Sequence, residues 1–354
     1  MSDDPLGYHS NPRLLAEVER LAAHAPGGRA VLVEAGRTVR GQPIPAVRVS
    51  SPGPDRDGRP RVLVSANVHG NEVISSELAM ALLADLAAST PTDAAQALLG
   101  RVEVVIVPAV NLDSRAAAAD ALIDGRLFAR APRGNANGVD LNRNFPWVQG
   151  GHDPWHPMAG SSIPWMPWYR GPEPLSEPEA LALAELAERD RPVVALNLHS
   201  VGRLFLYPWN AYAEPPPHLD AFVAIGEAFC ASQPGPRYQI KQAQAWYGIM
   251  GDMDDWLYER CGTLAMTVEL SGAMEAVRER PTALFSPASW MNPVSPGATV
   301  RNSHVPCLMA LLEGLNQAEA RAAAPTPVSL PSPPRAGRCP APCRRPARRV
   351  QAAG

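Results

Sequence analysis

Four side chains able to hold a metal or move a proton stand where apolar strands run out. His69 and Glu72, in VSANVHGNEV, follow the apolar run 61–68; His199 follows VVALNL; Glu269 ends LAMTVE. Asn111 and Asp113 follow a further apolar run and join the same group of strand-end polar residues. Taken singly, each is weak evidence. Brought together, two imidazoles and a carboxylate leave one position of a tetrahedral zinc open to water, and a second carboxylate beside them can act as a general base. The H-x-x-E spacing differs from H-E-x-x-H, in which one helical turn supplies both histidines.

Such a group can meet only if several strands end on one side of a sheet. Residues 30–34 and 44–50 read as strands around the turn GRTVRGQP, and 61–68, 102–110, 192–198 and 263–270 as nearly continuous apolar strands. Segments 12–23, 73–88, 176–189 and 303–323 have helical character, with Asn11 a candidate N-cap before Pro12. Strands apolar on both sides, alternating with helices, predict an α/β domain with helices on both faces of the sheet. In open sheets of this kind ligands bind outside the carboxyl ends of the strands. Segment 147–174, with Trp155, Trp165, Trp168 and several Pro and Gly, reads as a functional rim or lid.

The bulk numbers are those of an ordinary globular enzyme. The chain has 354 residues, 46% hydrophobic and 19% charged, with a net charge of −3, so no nucleic-acid partner is expected. Five widely spaced cysteines do not read as a disulfide framework. The start, MSDDPLGYHSNPRLLAEV, lacks the pattern of a signal peptide, and no apolar stretch reaches the length of a membrane span, so a cytoplasmic location is the expectation. Residues 1–323 are expected to form the domain. Residues 324–354, Pro-rich with six arginines and no acidic residue, are expected to be a disordered tail in which CPAPC is incidental.

Beyond the isolated residues, HGNE at 69–72, GVDLNRNFP at 138–146, YRGPEPLSEPEA at 169–180, LHSVGRLFLYP at 198–208 and VEL at 268–270 occur in an order that resembles the zinc metallocarboxypeptidases. This is the family of the pancreatic carboxypeptidases A and B, and the resemblance covers roughly residues 8–320. It implies a mixed, largely parallel eight-stranded sheet, one Zn2+ held by His69, Glu72 and His199, and a peptide substrate. It further implies Glu269 as the catalytic carboxylate, taking a proton from water and returning it to the leaving amine. Asn142 and Arg143 match the pair that grips a terminal carboxylate, a task suited to a planar guanidinium. Arg133, in preference to Arg130 or Arg126, matches the arginine that serves the oxyanion. Tyr247 matches the tyrosine that folds over bound substrate, while Asp140 and Asn144 read as loop bracing.

Specificity is expected from Asp254, immediately before Asp255-Trp256. An aspartate at the matching place in this family accompanies removal of Lys or Arg, because leaving a buried carboxylate unpaired is costly. There are departures: Asn71 replaces an arginine of the digestive enzymes, NLDS replaces NPDG, and no propeptide region is visible. These look more like the short bacterial cytoplasmic branch, which includes murein peptide amidases cutting beside diaminopimelate. An aspartoacylase-type deacylase and a catalytically dead binding module are the other readings, the latter opposed by the survival of every ligand and of Glu269.

Overall fold

The computed structural model describes residues 7–52, 58–148 and 158–323. The expected tail 324–354, with Cys339 and Cys343, lies outside the described residues, as does Trp155.

The elements run in the order α1 (Asn11–His24), β1 (Ala30–Arg37), β2 (Pro43–Val49), β3 (Arg61–Ala66), α2 (Val73–Ala87), α3 (Asp93–Arg101), β4 (Glu103–Val107) and α4 (Leu112–Ile123). They continue as α5 (Pro178–Asp190), β5 (Val194–Ser200), β6 (Leu204–Tyr207), α6 (Leu219–Ala231), β7 (Gln239–Gln242), α7 (Met253–Trp256), β8 (Leu264–Leu270), α8 (Glu275–Glu279) and α9 (Gly297–Ala323). The strands form one sheet in the order β1-β2-β4-β3-β5-β8-β6-β7. Its centre, β4-β3-β5-β8, is parallel, and β2 and β6 join it antiparallel on either side. This is the mixed, largely parallel eight-stranded sheet expected.

The pleat explains why the central strands are mostly apolar. Successive side chains point to opposite faces, and here both faces are covered. Val62, Val64, Leu196 and Val268 join a core with Leu78 of α2, Phe222 of α6 and Leu311 of α9. Leu63, Val105, Ala195 and Ala265 join a second core with Leu183 of α5 and Trp256 of α7. Each fully buried Val or Leu contributes about 1.5–3 kcal/mol, so a polar residue inside these runs requires a purpose.

Two local expectations are corrected. Ser10, not Asn11, holds the N-cap position of α1. Asn11 is the first helical residue and buried: its Nδ2 donates to Leu112 O at 2.8 Å and its Oδ1 accepts from Arg115 Nη1 at 2.7 Å, so it joins α1 to α4. Helix α9 starts at Gly297, ahead of residue 303, and carries Pro306 inside it. Helices α3, α4 and α6 and the short strands β6 and β7 were not expected from the sequence. Among the described residues no helix is long and apolar enough to cross a membrane.

Helix α9 lies close on β5. A Cβ on Gly314 would stand 2.7 Å from Val194 Cγ1 and 2.8 Å from its Cγ2. Helix propensity alone favours alanine over glycine by about 1 kcal/mol, but the close approach decides the sign. Gly314→Ala is expected to destabilise the chain by about 1–3 kcal/mol; a chemical denaturation midpoint equal to or above the native one would contradict this packing.

Candidate active site

The second core stops short of the carboxyl ends of β3, β5 and β8, and the space beyond it is a cleft of about 470 Å3. In the parallel pair β5–β8, His199 stands beside Glu269 and, two residues earlier, Asn197 beside Thr267. The period of two puts all four on one face, the same as Ala195 and Ala265. His199, Thr267 and Glu269 line the cleft.

His69 and Glu72 come from the turn between β3 and α2. Gly70 lets that turn pass against α4: a Cβ there would meet Ser114 Cβ at 2.4 Å and Pro132 O at 2.9 Å. Gly70 N donates to Arg133 O at 2.9 Å, and Asn67 Nδ2 donates to His69 O at 2.9 Å. The result is a buried convergence. His69 Nδ1 lies 2.8 Å from Glu72 Oε1, His199 Nδ1 lies 3.0 Å from Glu72 Oε2, and the two Nδ1 atoms are 3.1 Å apart.

Whether these three suit a metal is a question of protonation. His69 Nε2 donates to Asp140 Oδ1 at 3.0 Å, which turns the lone pair of Nδ1 inward. Burial lowers the His199 pKa, outweighing Glu72, so its imidazole is kept neutral. Burial works to raise the Glu72 carboxyl, but His69 and His199 hold it well below the usual carboxylate range. Two imidazoles and one carboxylate, with ligand atoms all within 4.8 Å of one another, form a set that could hold one metal ion. It is the only such cluster among the described residues.

Asp140 does more than brace its loop. It is wholly buried, and besides His69 it accepts from Arg133 Nε at 2.9 Å and Asn142 N at 3.0 Å. Burial opposes its charge, yet Arg133, Arg143 and His69 hold its carboxyl well below the ordinary range. Arg133 also reaches Glu72 Oε1 at 3.3 Å and lines the cleft; burial disfavours its charge, but Asp140 and Glu72 raise its pKa on balance. Arg130 is exposed and does not line the cleft. Glu269 is 8% exposed, and its Oε2 is buried without a hydrogen-bond partner among the described residues. Burial, then Glu72, pushes its carboxyl well above the usual value against the pull of Arg133 and Arg143.

Asn142 and Arg143 line the same cleft. Asn142 Oδ1 accepts from Met253 N at 3.1 Å, leaving its Nδ2 as the end able to meet a ligand. Of the five N–H donors of the Arg143 guanidinium, Nε and one on Nη2 go to Met158 O and one on Nη1 to Asn142 O. Tyr247 lines the cleft beside Trp246, and burial raises its phenol pKa. Pro167 and Trp168, from the segment read as a rim, line it too.

Asp254 is placed differently from the expectation. It is buried and not among the residues lining the cleft; its carboxylate accepts from Asn197 Nδ2 and, at 2.6 Å, from Thr267 Oγ1. It therefore sits one layer behind the floor formed by Thr267. Burial pushes its pKa up to about 7, against the two hydrogen bonds. Its neighbours are structural: Asp252 caps α7, and Asp255 accepts from the backbone of Asn210 and Ala211. Asn111 and Asp113 also stay out of the cleft. Asn111 caps α4 and holds Val68 O, while Asp113 accepts from Thr38, Gln42 and Arg40 N. Sequence reasoning missed Trp290 and Met291, which form a wall and carry no motif.

Comparison with known proteins gives a consistent picture. The zinc carboxypeptidase family matches residues 15–296. The chain is similar to carboxypeptidase D of Rattus norvegicus, 26% identical over 311 residues, covering 75% of this chain and 21% of that protein. It is also similar to carboxypeptidase B of Astacus astacus, 25% identical over 279 residues, covering 75% of this chain and 87% of the relative. Thus it spans about a fifth of the length of carboxypeptidase D and most of the length of carboxypeptidase B. Among solved structures, carboxypeptidase A from Helicoverpa armigera shares the fold with a TM-score of 0.67 at 20% identity, covering 90% of this chain and 75% of that one.

Asp140 generates a test. Partners that orient a ligating histidine are worth about 10–100-fold in metal affinity, so Asp140→Asn is expected to raise the zinc dissociation constant by that factor in a chelator competition. An unchanged constant would remove Asp140 from this role.

Proposed function

The chain belongs to the zinc carboxypeptidase family, and we propose that it is a metallocarboxypeptidase that releases the C-terminal residue of a peptide. The observation that carries this reading is that two sets of features line one cleft. The cluster His69, Glu72, His199 and the carboxylate of Glu269 line it together with the amide and guanidinium of Asn142 and Arg143. A substrate that engages both has a carboxylate one residue away from the bond to be cut.

His69, Glu72 and His199 would hold one zinc, which when bound supplies a Lewis acid that polarises a carbonyl and acidifies water. The remaining work belongs to the chain. Asn142 Nδ2 and the two N–H groups of Arg143 with no hydrogen bond among the described residues take the terminal carboxylate and fix the register of the peptide. Glu269, with a raised pKa and an unpartnered oxygen, accepts a proton from the attacking water and passes it to the departing amine. Arg133, held charged by Asp140 and Glu72, donates to the oxygen on which negative charge develops. Tyr247, with its aromatic neighbour Trp246, closes the side of the cleft around the last residue.

Basic C-terminal residues are the proposed preference, supported by the carboxylate of Asp254 behind Thr267. That carboxylate lies within hydrogen-bonding distance of the cleft floor and adds a negative field there.

The test is release of free amino acid from matched peptides ending in Arg, Phe or diaminopimelate, each with a free or an amidated C-terminus, and from an N-acyl amino acid. Glu269→Gln is expected to lower kcat by about 100- to 10,000-fold, and amidation to slow cleavage by about 100-fold or more, since the Asn142–Arg143 side is then left unpaired. Equal rates on amidated peptides, or turnover of the N-acyl amino acid alone, would overturn the reading; release of diaminopimelate alone would move the preference to murein peptides.

Because Asp254 titrates near 7 in the free protein, it is charged above that pH and neutral below it. The ratio of kcat/KM for Arg over Phe peptides is therefore expected to climb from pH 6 to 8, by up to about tenfold per unit below the pKa. Asp254→Asn should flatten the profile; a native profile already flat would exclude Asp254 from specificity.

A further inference from the structure

Helix α2 starts inside the metal-binding turn and lacks a cap of its own. A side chain at the N-cap ordinarily accepts from the N–H of the second or third helical residue. The N-cap of α2 is Glu72, and it makes no such bond. Its carboxylate is turned the other way, towards His69 and His199, with Oε2 also accepting from Ser200 N at 3.1 Å.

The missing cap comes from far along the chain. Ile74 N, at the second helical position, donates to Asn292 Oδ1 at 2.8 Å, across 218 residues of sequence. The other end of the same amide, Nδ2, donates to Asn71 O at 2.8 Å and to Ala288 O at 2.6 Å. Asn292 is only 2% exposed, so these bonds are shielded from water. One side chain thus grips the backbone on both sides of Glu72, before it at residue 71 and after it at residue 74. The preceding residue pins the other ligand segment: Ser200 Oγ, next to His199, donates to Met291 O at 2.5 Å.

We propose that Asn292 is a positioning residue for the metal, a surrogate N-cap that holds the Glu72 turn in its ligating shape and so releases the Glu72 carboxylate from capping its own helix. It touches neither substrate nor reacting atoms. An acceptor alone would satisfy Ile74 N, and a donor alone would satisfy Asn71 O; an amide of this reach does both. The inference rests on the reading of His69, Glu72 and His199 as ligands.

The experiment is a chelator competition for zinc with the full chain, native, Asn292→Ala and Asn292→Asp, alongside the visible spectrum of each protein loaded with cobalt(II). Failure of the native protein to bind one zinc would overturn the ligand reading and this inference together. With zinc bound by the native chain, Asn292→Ala is expected to raise the dissociation constant about tenfold or more and to shift the cobalt bands. Asn292→Asp, which can still accept from Ile74 N but sets a carboxylate oxygen against the carbonyls of Asn71 and Ala288, should recover at most part of the loss. A constant within twofold of native with unchanged cobalt bands in Asn292→Ala overturns the proposal, whatever its melting temperature. Should that variant not fold, hydrogen exchange in the unsubstituted, metal-free protein decides: a protected Ile74 amide supports a turn formed before the metal arrives, and exchange at the rate of an open chain overturns it.

Discussion

A carboxylate 1% exposed, Glu72, is the constraint around which this end of the molecule is arranged. An isolated charge at such depth costs several kcal/mol unless it is matched by charges or hydrogen bonds. Every neighbouring element contributes to the match: His69 from its own turn, His199 and Ser200 N from β5, Arg133 from the loop after α4, and the positive end of α2 on which Glu72 sits. The same need explains Asp140, which balances Arg133 and His69 in turn and so keeps the alternation of charge unbroken through the buried shell.

The sheet makes this concentration of polar groups tolerable by confining it. Along β3, β5 and β8 most inner residues are apolar and buried, and polar side chains gather towards the carboxyl ends, from Ser65, Asn197 and Thr267 onwards, where the second core gives out. Stability is thereby drawn from one part of each strand and chemistry from the next, with no residue asked to serve both. The two cores on opposite faces anchor the strand ends to within the tolerance a ligand set requires.

How much of this could be read from the residues depended on whether their partners were near or implied by a repeating pattern. The central strands were legible because burial on both faces leaves an unbroken apolar run, and the metal cluster because His and Glu at strand ends have no structural excuse. β6 and β7, four residues each, are too short to show a period, and α4 was hidden because Asn111 and Asp113, which cap and brace it, look like site residues. Asp140 looked like loop bracing because its decisive partner, His69, lies 71 residues away. Asp254 was read as facing the cleft and lies one layer behind it: only the pairing of Asn197 with Thr267 reveals that both side chains close over it. Trp290, Met291 and Asn292 carry no motif at all, since their meaning lies in what the loop touches.

The ladder between β5 and β8 also acts as a ruler. His199 with Glu269 is one rung, Asn197 with Thr267 the next on that face, and a strand advances about 6.6 Å over two residues. On the proposed function, chemistry would occupy one rung and selection the rung below, at a spacing fixed by backbone hydrogen bonds and not by side-chain choice. A residue entering from the upper rung must be about that long to meet the lower one. Under the same proposal, its identity would be renegotiated at Asn197, Thr267 and Asp254 while the upper rung is left alone, so that a change in what is accepted need not disturb the proposed cutting machinery.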